Sequence, residues 1–267
     1  MARALTRVVR SNSPLIAYVL HHYDWSESSL ILDLFTREQG RIAVVAKGAK
    51  RPYSQLRSVL LPFQRVQVLL TKGGVLSEDG VSEVFTLRQA ERASGPTLAK
   101  GAALFSGYYL NELLLKLLVR HDVNTHLFDA YAQTLLGLHA NDDAQSQCAL
   151  RAFEITLLRE LGLLPELGVL TTTQQALEPD CNYCLSGEGG VVPPGADLSE
   201  LHGRTLLALH ANAKPGQLLN LQQACALNLS QLPALRNALR AVLHYHLGHA
   251  TLRTREVLLD TQRLLDL

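Results

Sequence analysis

The stretch SLILDLFTREQGRIAVVAKG, residues 29–48, decides how the front of this chain folds. Two short runs rich in Leu, Ile, Val and Phe flank the turn signal REQG, and each alternates in part. In the first run Leu30, Leu32 and Leu34 fall on one face. Ser29, Ile31, Asp33 and Phe35 fall on the other, so both faces are partly covered. The same texture continues on either side. LIAYVL (15–20) precedes it, while RVQVLLTKG (65–73) and GVSEVFTL (80–87) follow, with DWSESS, KRPYS and KGG as further turn signals. Five short strands in about ninety residues, with no useful helix between most of them, predict a small closed barrel or sandwich. A five-stranded barrel is of the OB type, whose strand 2–3 face and loops commonly hold oligonucleotides.

After ASGPTLAK (93–100) the period changes. Ser94 suits a cap and Pro96 a first helical turn, and TLAKGAALFSGYYLNELLLKLLV carries apolar residues at helical spacing. Further helical patterns cover about 123–140, 146–163, 200–212, 217–229 and 232–248, with NDDAQ (141–145) capping the third helix. The stretch from about 168 to 199 is poor in apolar periodicity and contains CNYC and GEGGVVPPG, so it reads as a loop-like insert. The expected architecture is α+β: a barrel domain over 1–88, then a helical domain over 89–267 carrying that insert.

Nearly half the 267 residues are apolar and 18% are charged, which suits a globular protein with a substantial core. No apolar run reaches the roughly 18–20 residues that cross a bilayer. No export signal is legible at the N-terminus, and four cysteines make no disulfide framework in a chain this long. A reduced, cytoplasmic protein is expected. Net charge is +1, but its distribution is uneven. Residues 1–72 carry 11 Lys and Arg against 4 Asp and Glu, and the remainder carries 14 against 20. A basic front points to an anionic partner at that end.

Catalytic constellations are missing. GRIAVVAKGAK lacks the spacing of a phosphate-wrapping P-loop, and G-x-S-x-G, H-E-x-x-H and Gly-rich dinucleotide turns do not occur. Asp142 and Asp143 read as helix caps. Cys181 and Cys184 form one C-x-x-C, half of a four-thiolate zinc site, with no second pair downstream. His246 and His249 share a helical face and complete an alternative Cys/His set. Cys148 and Cys225 read as buried apolar residues.

The remaining signal is the basic loop. Arg37, Arg41, Lys47, Lys50, Arg51 and Arg57 cluster around Gly48 and Pro52, and Tyr53 supplies a ring among them. Cations that track phosphates and aromatics that lie under bases are how single strands are held without sequence preference. Two alternatives compete with this reading. One is a barrel adaptor that docks an acidic peptide on the same loop; the other is an enzyme using zinc at Cys181 and Cys184.

YDWSESSLILDLFTREQGRIAVVAKGAKR, LLPFQRVQVLL, YYLNELLLKLL, LRAFEITLLRELG and LRTREVL, in that order along the chain, resemble the RecO recombination mediators of bacteria. The resemblance implies an N-terminal OB fold, a helical domain and an intervening zinc module. It implies a non-enzymatic protein of DNA repair and recombination that binds single- and double-stranded DNA and anneals complementary strands. Such a protein helps load RecA onto DNA coated by single-strand-binding protein. The implied partners are DNA, RecR, the acidic C-terminal tail of the coating protein and, through these, RecA, in the nucleoid-containing cytoplasm. The family's zinc module usually has two C-x-x-C pairs; only Cys181 and Cys184 stand here, so no cofactor is expected. For the acidic tail, Arg151 with Phe153 and Lys116 are the expected contacts, Arg151 meeting the terminal carboxylate. Glu154 is the local competitor for Arg151. Arg253 and Arg255 would extend the DNA path.

Overall fold

The computed structural model describes residues 13–72, 84–95, 101–138, 142–195, 198–248, 252–254 and 257. Arg3, Arg7, Arg10, Pro96, His249 and Arg255 lie outside them, as do Gly73 and Gly74 of the KGG turn and residues 80–83 of the fifth strand-like run. The chain divides into two units. One comprises residues 1–97 with 119–123, the other residues 98–118 with 124–267.

The first unit is a closed barrel. Strands β1 (Leu15–Asp24), β2 (Leu30–Thr36), β3 (Gly40–Ala46), β4 (Arg65–Lys72) and β5 (Val84–Arg92) follow the order β1-β2-β3-β5-β4. Every pairing is antiparallel except β3 with β5. The alternation read in the sequence sets which residues point inward. Ala17, Val19, Leu32, Leu34, Ile42, Val44, Val66 and Val68 are all 0% exposed and form the barrel core. Burying each large aliphatic side chain stabilises by about 1.5–3 kcal/mol. The fifth strand runs on to Arg92, past the boundary expected at 88, and β3 stops at Ala46, so Lys47 and Gly48 belong to the following turn.

The REQG turn closes β2 onto β3. Thr36 Oγ1 donates to the Gly40 carbonyl at 2.9 Å and accepts from the Gln39 amide at 3.0 Å. Gly40 has φ +66°, and a Cβ there would stand 1.9 Å from the Asp122 carbonyl oxygen. That contact arises because residues 119–123 lie along the barrel, with the His121 amide donating to Arg41 O at 2.9 Å. Gly40→Ala combines a left-handed backbone cost of about 1–2 kcal/mol with a steric clash. Urea denaturation is expected to show a loss of at least about 2 kcal/mol.

The second unit is mainly helical: α2 (Ala102–Leu117), α3 (Thr125–Gly137), α4 (Asp143–Glu160), α5 (Gly203–Asn212), α6 (Leu218–Ala226) and α7 (Leu232–His246). (The label α1 belongs to a single turn in the barrel unit, Leu56–Val59.) Asp142 caps α4 as expected, accepting from the Ala144 amide at 2.9 Å and the Gln145 amide at 3.3 Å. All residues of α4 from Cys148 to Leu158 are buried, so this helix is the centre around which α3, α6 and α7 pack. The first helix begins at Ala102 rather than near Ser94, whose carbonyl instead accepts from Arg65. Among the described residues no helix is long and apolar enough to cross a membrane.

The insert expected as a loop contains a small sheet. Strands β6 (Asn182–Ser186), β7 (Gly190–Val192) and β8 (Glu200–His202) pair antiparallel in the order β7-β6-β8. Its strands are too short for a visible period, and Gly and Pro between them read as loop. Cys184, Leu185, Val191 and Leu201 are nevertheless buried, and β8 takes the first residues of the stretch read as helix from 200.

Near the C-terminus the Glu112 carboxylate accepts from the amides of Arg253 (2.9 Å) and Thr254 (3.0 Å) and from Thr254 Oγ1 (2.7 Å). Burial works to raise its pKa, but those hydrogen bonds and Lys116 outweigh it and hold the carboxyl below its ordinary value. A depressed carboxylate stabilises above its ordinary pKa and loses that stabilisation as pH falls through the folded value. Protection of the Arg253 and Thr254 amides, measured relative to their intrinsic exchange rates at each pH, is therefore expected to fall in mild acid. Glu112→Gln should give roughly ten-fold faster exchange there at neutral pH.

Candidate nucleic-acid interface

The basic loop is built by anchoring its small residues and leaving its cations outside. Gly48 turns the chain with φ +72°, and the Arg51 amide donates to Gly48 O at 3.2 Å. The Arg51 side chain crosses directly over Gly48, where a Cβ would come within 3.6 Å of it. Ala49 plugs the barrel core at 1% exposure, and Leu56 and Val59 of α1 pack on the same core. The segment between these anchors therefore carries Arg51, Pro52 and Tyr53 outward, with Lys47 and Arg57 beside them. Tyr53 is 99% exposed.

Lys50 has a different task. Its amide donates to Ser28 O at 3.0 Å, and its Nζ meets Asp24 and the Ser26 carbonyl, each at 3.2 Å. These contacts tie the loop to the tip of the β1–β2 hairpin. Arg41 is likewise occupied. Its side chain is 15% exposed and faces the buried Asp33 carboxylate at 3.8 Å, which Arg120 approaches from the 119–123 segment at 3.7 Å. Burial first, then the Asp33 charge, raises the pKa of Tyr23. Arg37 is exposed, with its amide on Ile16 O. Among the described residues no acid pairs with Lys47, Arg51 or Arg57. Reading the sequence alone gave no signal for Arg120, which lies far along the chain, or for the aromatic hairpin tip, which read simply as a turn.

The residues expected to meet an acidic tail lie in the helical unit, and two of the three are enclosed. Arg151 is 5% exposed and pairs with Glu154 at 2.8 Å; Phe153 is fully buried. Tyr109 also donates to the same Glu154 oxygen, at 2.7 Å. Glu154 thus takes the guanidinium as a partner within the core, which replaces the expected exposed carboxylate clamp. Lys116 is at the surface, 3.3 Å from Glu112.

The cysteines do not fit a four-thiolate zinc module. Three residues apart along an extended segment, Cys181 is exposed and donates to Glu178, whereas Cys184 is wholly buried in β6. Cys148 and Cys225 are buried in helices, and burial pushes the Cys225 thiol up to about 12. Among the described residues no three His, Cys, Asp or Glu side chains converge. The turn is held by other groups: the Gly203 amide on Cys181 O (2.8 Å), the Glu178 amide on the Tyr183 hydroxyl (2.9 Å), and the Arg204–Asp180 pair.

A closed five-stranded barrel with one parallel closure and a cationic loop beside the β1–β2 hairpin defines an OB-type binding domain joined to a helical domain. The family models described as "Recombination protein O N terminal" and "Recombination protein O C terminal" match residues 14–87 and 99–256. A DNA repair protein RecO of Variovorax paradoxus is 48% identical over 254 residues, covering 93% of this chain and 96% of the relative. Those of Albidiferax ferrireducens (46% over 250 residues; 93% and 95%) and Polaromonas naphthalenivorans (45% over 257; 95% and 98%) are similarly close. The chain belongs to the RecO family, and its function is that of a DNA-repair and recombination mediator rather than an enzyme.

Proposed function

We propose that the barrel binds the phosphate backbone through Lys47, Arg51 and Arg57, with Arg37 at the other end of the β2–β3 hairpin, and that the protein anneals complementary strands held in this way. The observation that carries this reading is the loop itself: three exposed cations without acidic partners among the described residues, around a fully exposed tyrosine. Annealing needs no catalytic group, because backbone contacts leave base edges free to pair. The three relatives above, each a DNA repair protein by name, support the same direction.

In this reading the protein acts in the cytoplasm, at the nucleoid. It acts with RecR and with the acidic C-terminal tail of single-strand-binding protein, helping RecA onto coated DNA. Lys116 is the expected tail contact that remains at the surface. Mixing two complementary fluorophore-labelled strands, one of them coated, tests it. Addition of the protein should accelerate duplex formation well above the spontaneous rate, and no acceleration at any salt would count against annealing.

A further inference from the structure

Beside the cations lies a group of rings that the loop alone does not explain. Before the bulge in β1, odd-numbered residues face the barrel core: Leu15, Ala17 and Val19, the last opposite Leu34. The register shifts between Val19 and His21, and afterwards His22 and Asp24 stand opposite the core-facing residues Leu32 and Leu30. The bulge thereby turns His21 and Tyr23 outward, opposite Asp33 and Ile31. An unbroken strand would have directed them into the core. His21 packs edge-on to Tyr23 with ring centroids 4.5 Å apart. Trp25 follows at the hairpin tip, 63% exposed, while Tyr23 is 47% exposed.

We infer that Tyr23 and Trp25 form a stacking shelf for unpaired nucleobases, so that the barrel takes single strands in preference to duplex. The inference rests on the nucleic-acid reading above and assigns the occupant from charge and shape together. The shelf adjoins the cationic loop, because Lys50 holds that loop to Asp24, Ser26 and Ser28 at the same hairpin tip. Two of the hairpin's three carboxylates are countered, Asp24 by Lys50 and Asp33 by Arg41 and Arg120, while Glu27 stands exposed with no cation paired to it among the described residues. An anionic strand therefore meets exposed rings beside the cationic loop, with Glu27 the one unpaired acid at the tip. The hairpin is the first loop of the OB barrel, one of the two loops that such barrels use for oligonucleotides. Stacking on an aromatic face is open to an unpaired base and closed to one paired inside a duplex, which gives the selectivity.

Trp25 is the chain's single tryptophan, so its emission reports on the shelf without a label. The full-length protein is titrated with oligothymidylate and with a duplex of the same length. Tryptophan emission and the anisotropy of a labelled copy of each DNA are followed in parallel. The expected result is quenching that tracks anisotropy for the single strand and is weak for the duplex. Trp25→Ala should lower single-strand affinity about ten-fold, with duplex affinity within about two-fold and unchanged melting. Trp25→Phe should recover most of the loss. Binding by anisotropy with no quenching, or equal losses on both DNAs, would overturn the shelf while leaving the nucleic-acid reading intact. No binding of either DNA would overturn both. Quenching by an acidic peptide but not by DNA would assign the rings to a protein partner instead.

Discussion

Replacing Lys47, Arg51 and Arg57 together by Glu is expected to lower single-strand DNA affinity about a hundred-fold at low salt. It should also reduce the slope of log affinity against log salt by roughly two, at about 0.7 for each phosphate no longer neutralised. Each phosphate that a Lys or Arg neutralises releases a condensed counterion, and the entropy of that release is the driving term. The three residues are exposed and make no ion pair among the described residues. Their replacement should therefore leave the fold within about 0.5 kcal/mol, as read by melting. Lys50 and Arg41 are unsuitable for this test. Lys50 secures the loop to Asp24 and Ser26, and Arg41 faces Asp33, so changing either alters the loop's support together with its charge.

The second large effect lies in the helical core. Arg151→Ala strands the Glu154 carboxylate, which is 1% exposed and keeps the Tyr109 hydroxyl as its hydrogen-bond donor. Breaking a buried pair from one side typically costs about 3–5 kcal/mol, because the remaining charge loses its counterion without regaining water. Denaturant unfolding is expected to show a loss in that range. Arg151→Met with Glu154→Gln should recover most of it, since Gln still accepts from Tyr109 and leaves no charge. Burial raises the Glu154 carboxyl above its ordinary range, and Arg151 opposes that rise. With Arg151 gone only the Tyr109 hydrogen bond and the Arg240 charge oppose the rise, so folding favours the protonated form more strongly. The Arg151→Ala variant should thus be closest to wild type in acid and lose stability as pH climbs through the raised value.

The contrast between these two arginine-bearing regions explains what the sequence made legible. Alternation in 29–48 revealed the barrel because each strand has one face that must be apolar, and period two survives even in a seven-residue strand. The Asp142 cap and the buried Cys148 and Cys225 were readable for the same reason: each is decided by its immediate neighbours. The partners of Arg41 were not. Asp33 lies across a hairpin and Arg120 beyond the first long helix, and only tertiary structure brings both to one place. The β1 bulge was also hidden. One extra residue inverts the facing of His21 and Tyr23, and the sequence LIAYVLHHYDW carries no Gly or Pro to mark it. The reverse happened at Arg151, where an exposed role was expected on a helix that the fold encloses all round.

The insert shows a further limit. Gly187 and Gly190 read as loop residues, yet each permits a close contact in the folded sheet. A Cβ on Gly187 would lie 2.4 Å from Tyr245 Cβ, and one on Gly190 2.2 Å from Thr171 Oγ1. Their role is steric and depends on residues far away in sequence.

The most direct measurement is fluorescence anisotropy of the full-length protein with labelled oligothymidylates of increasing length over a salt series. The expected result is affinity that rises with length and falls linearly with log salt, with a slope of at least about −2, the contribution of three phosphates neutralised by Lys47, Arg51 and Arg57. Weak binding at every length, insensitive to salt, would contradict a nucleic-acid role for the loop and return it to the acidic-peptide adaptor.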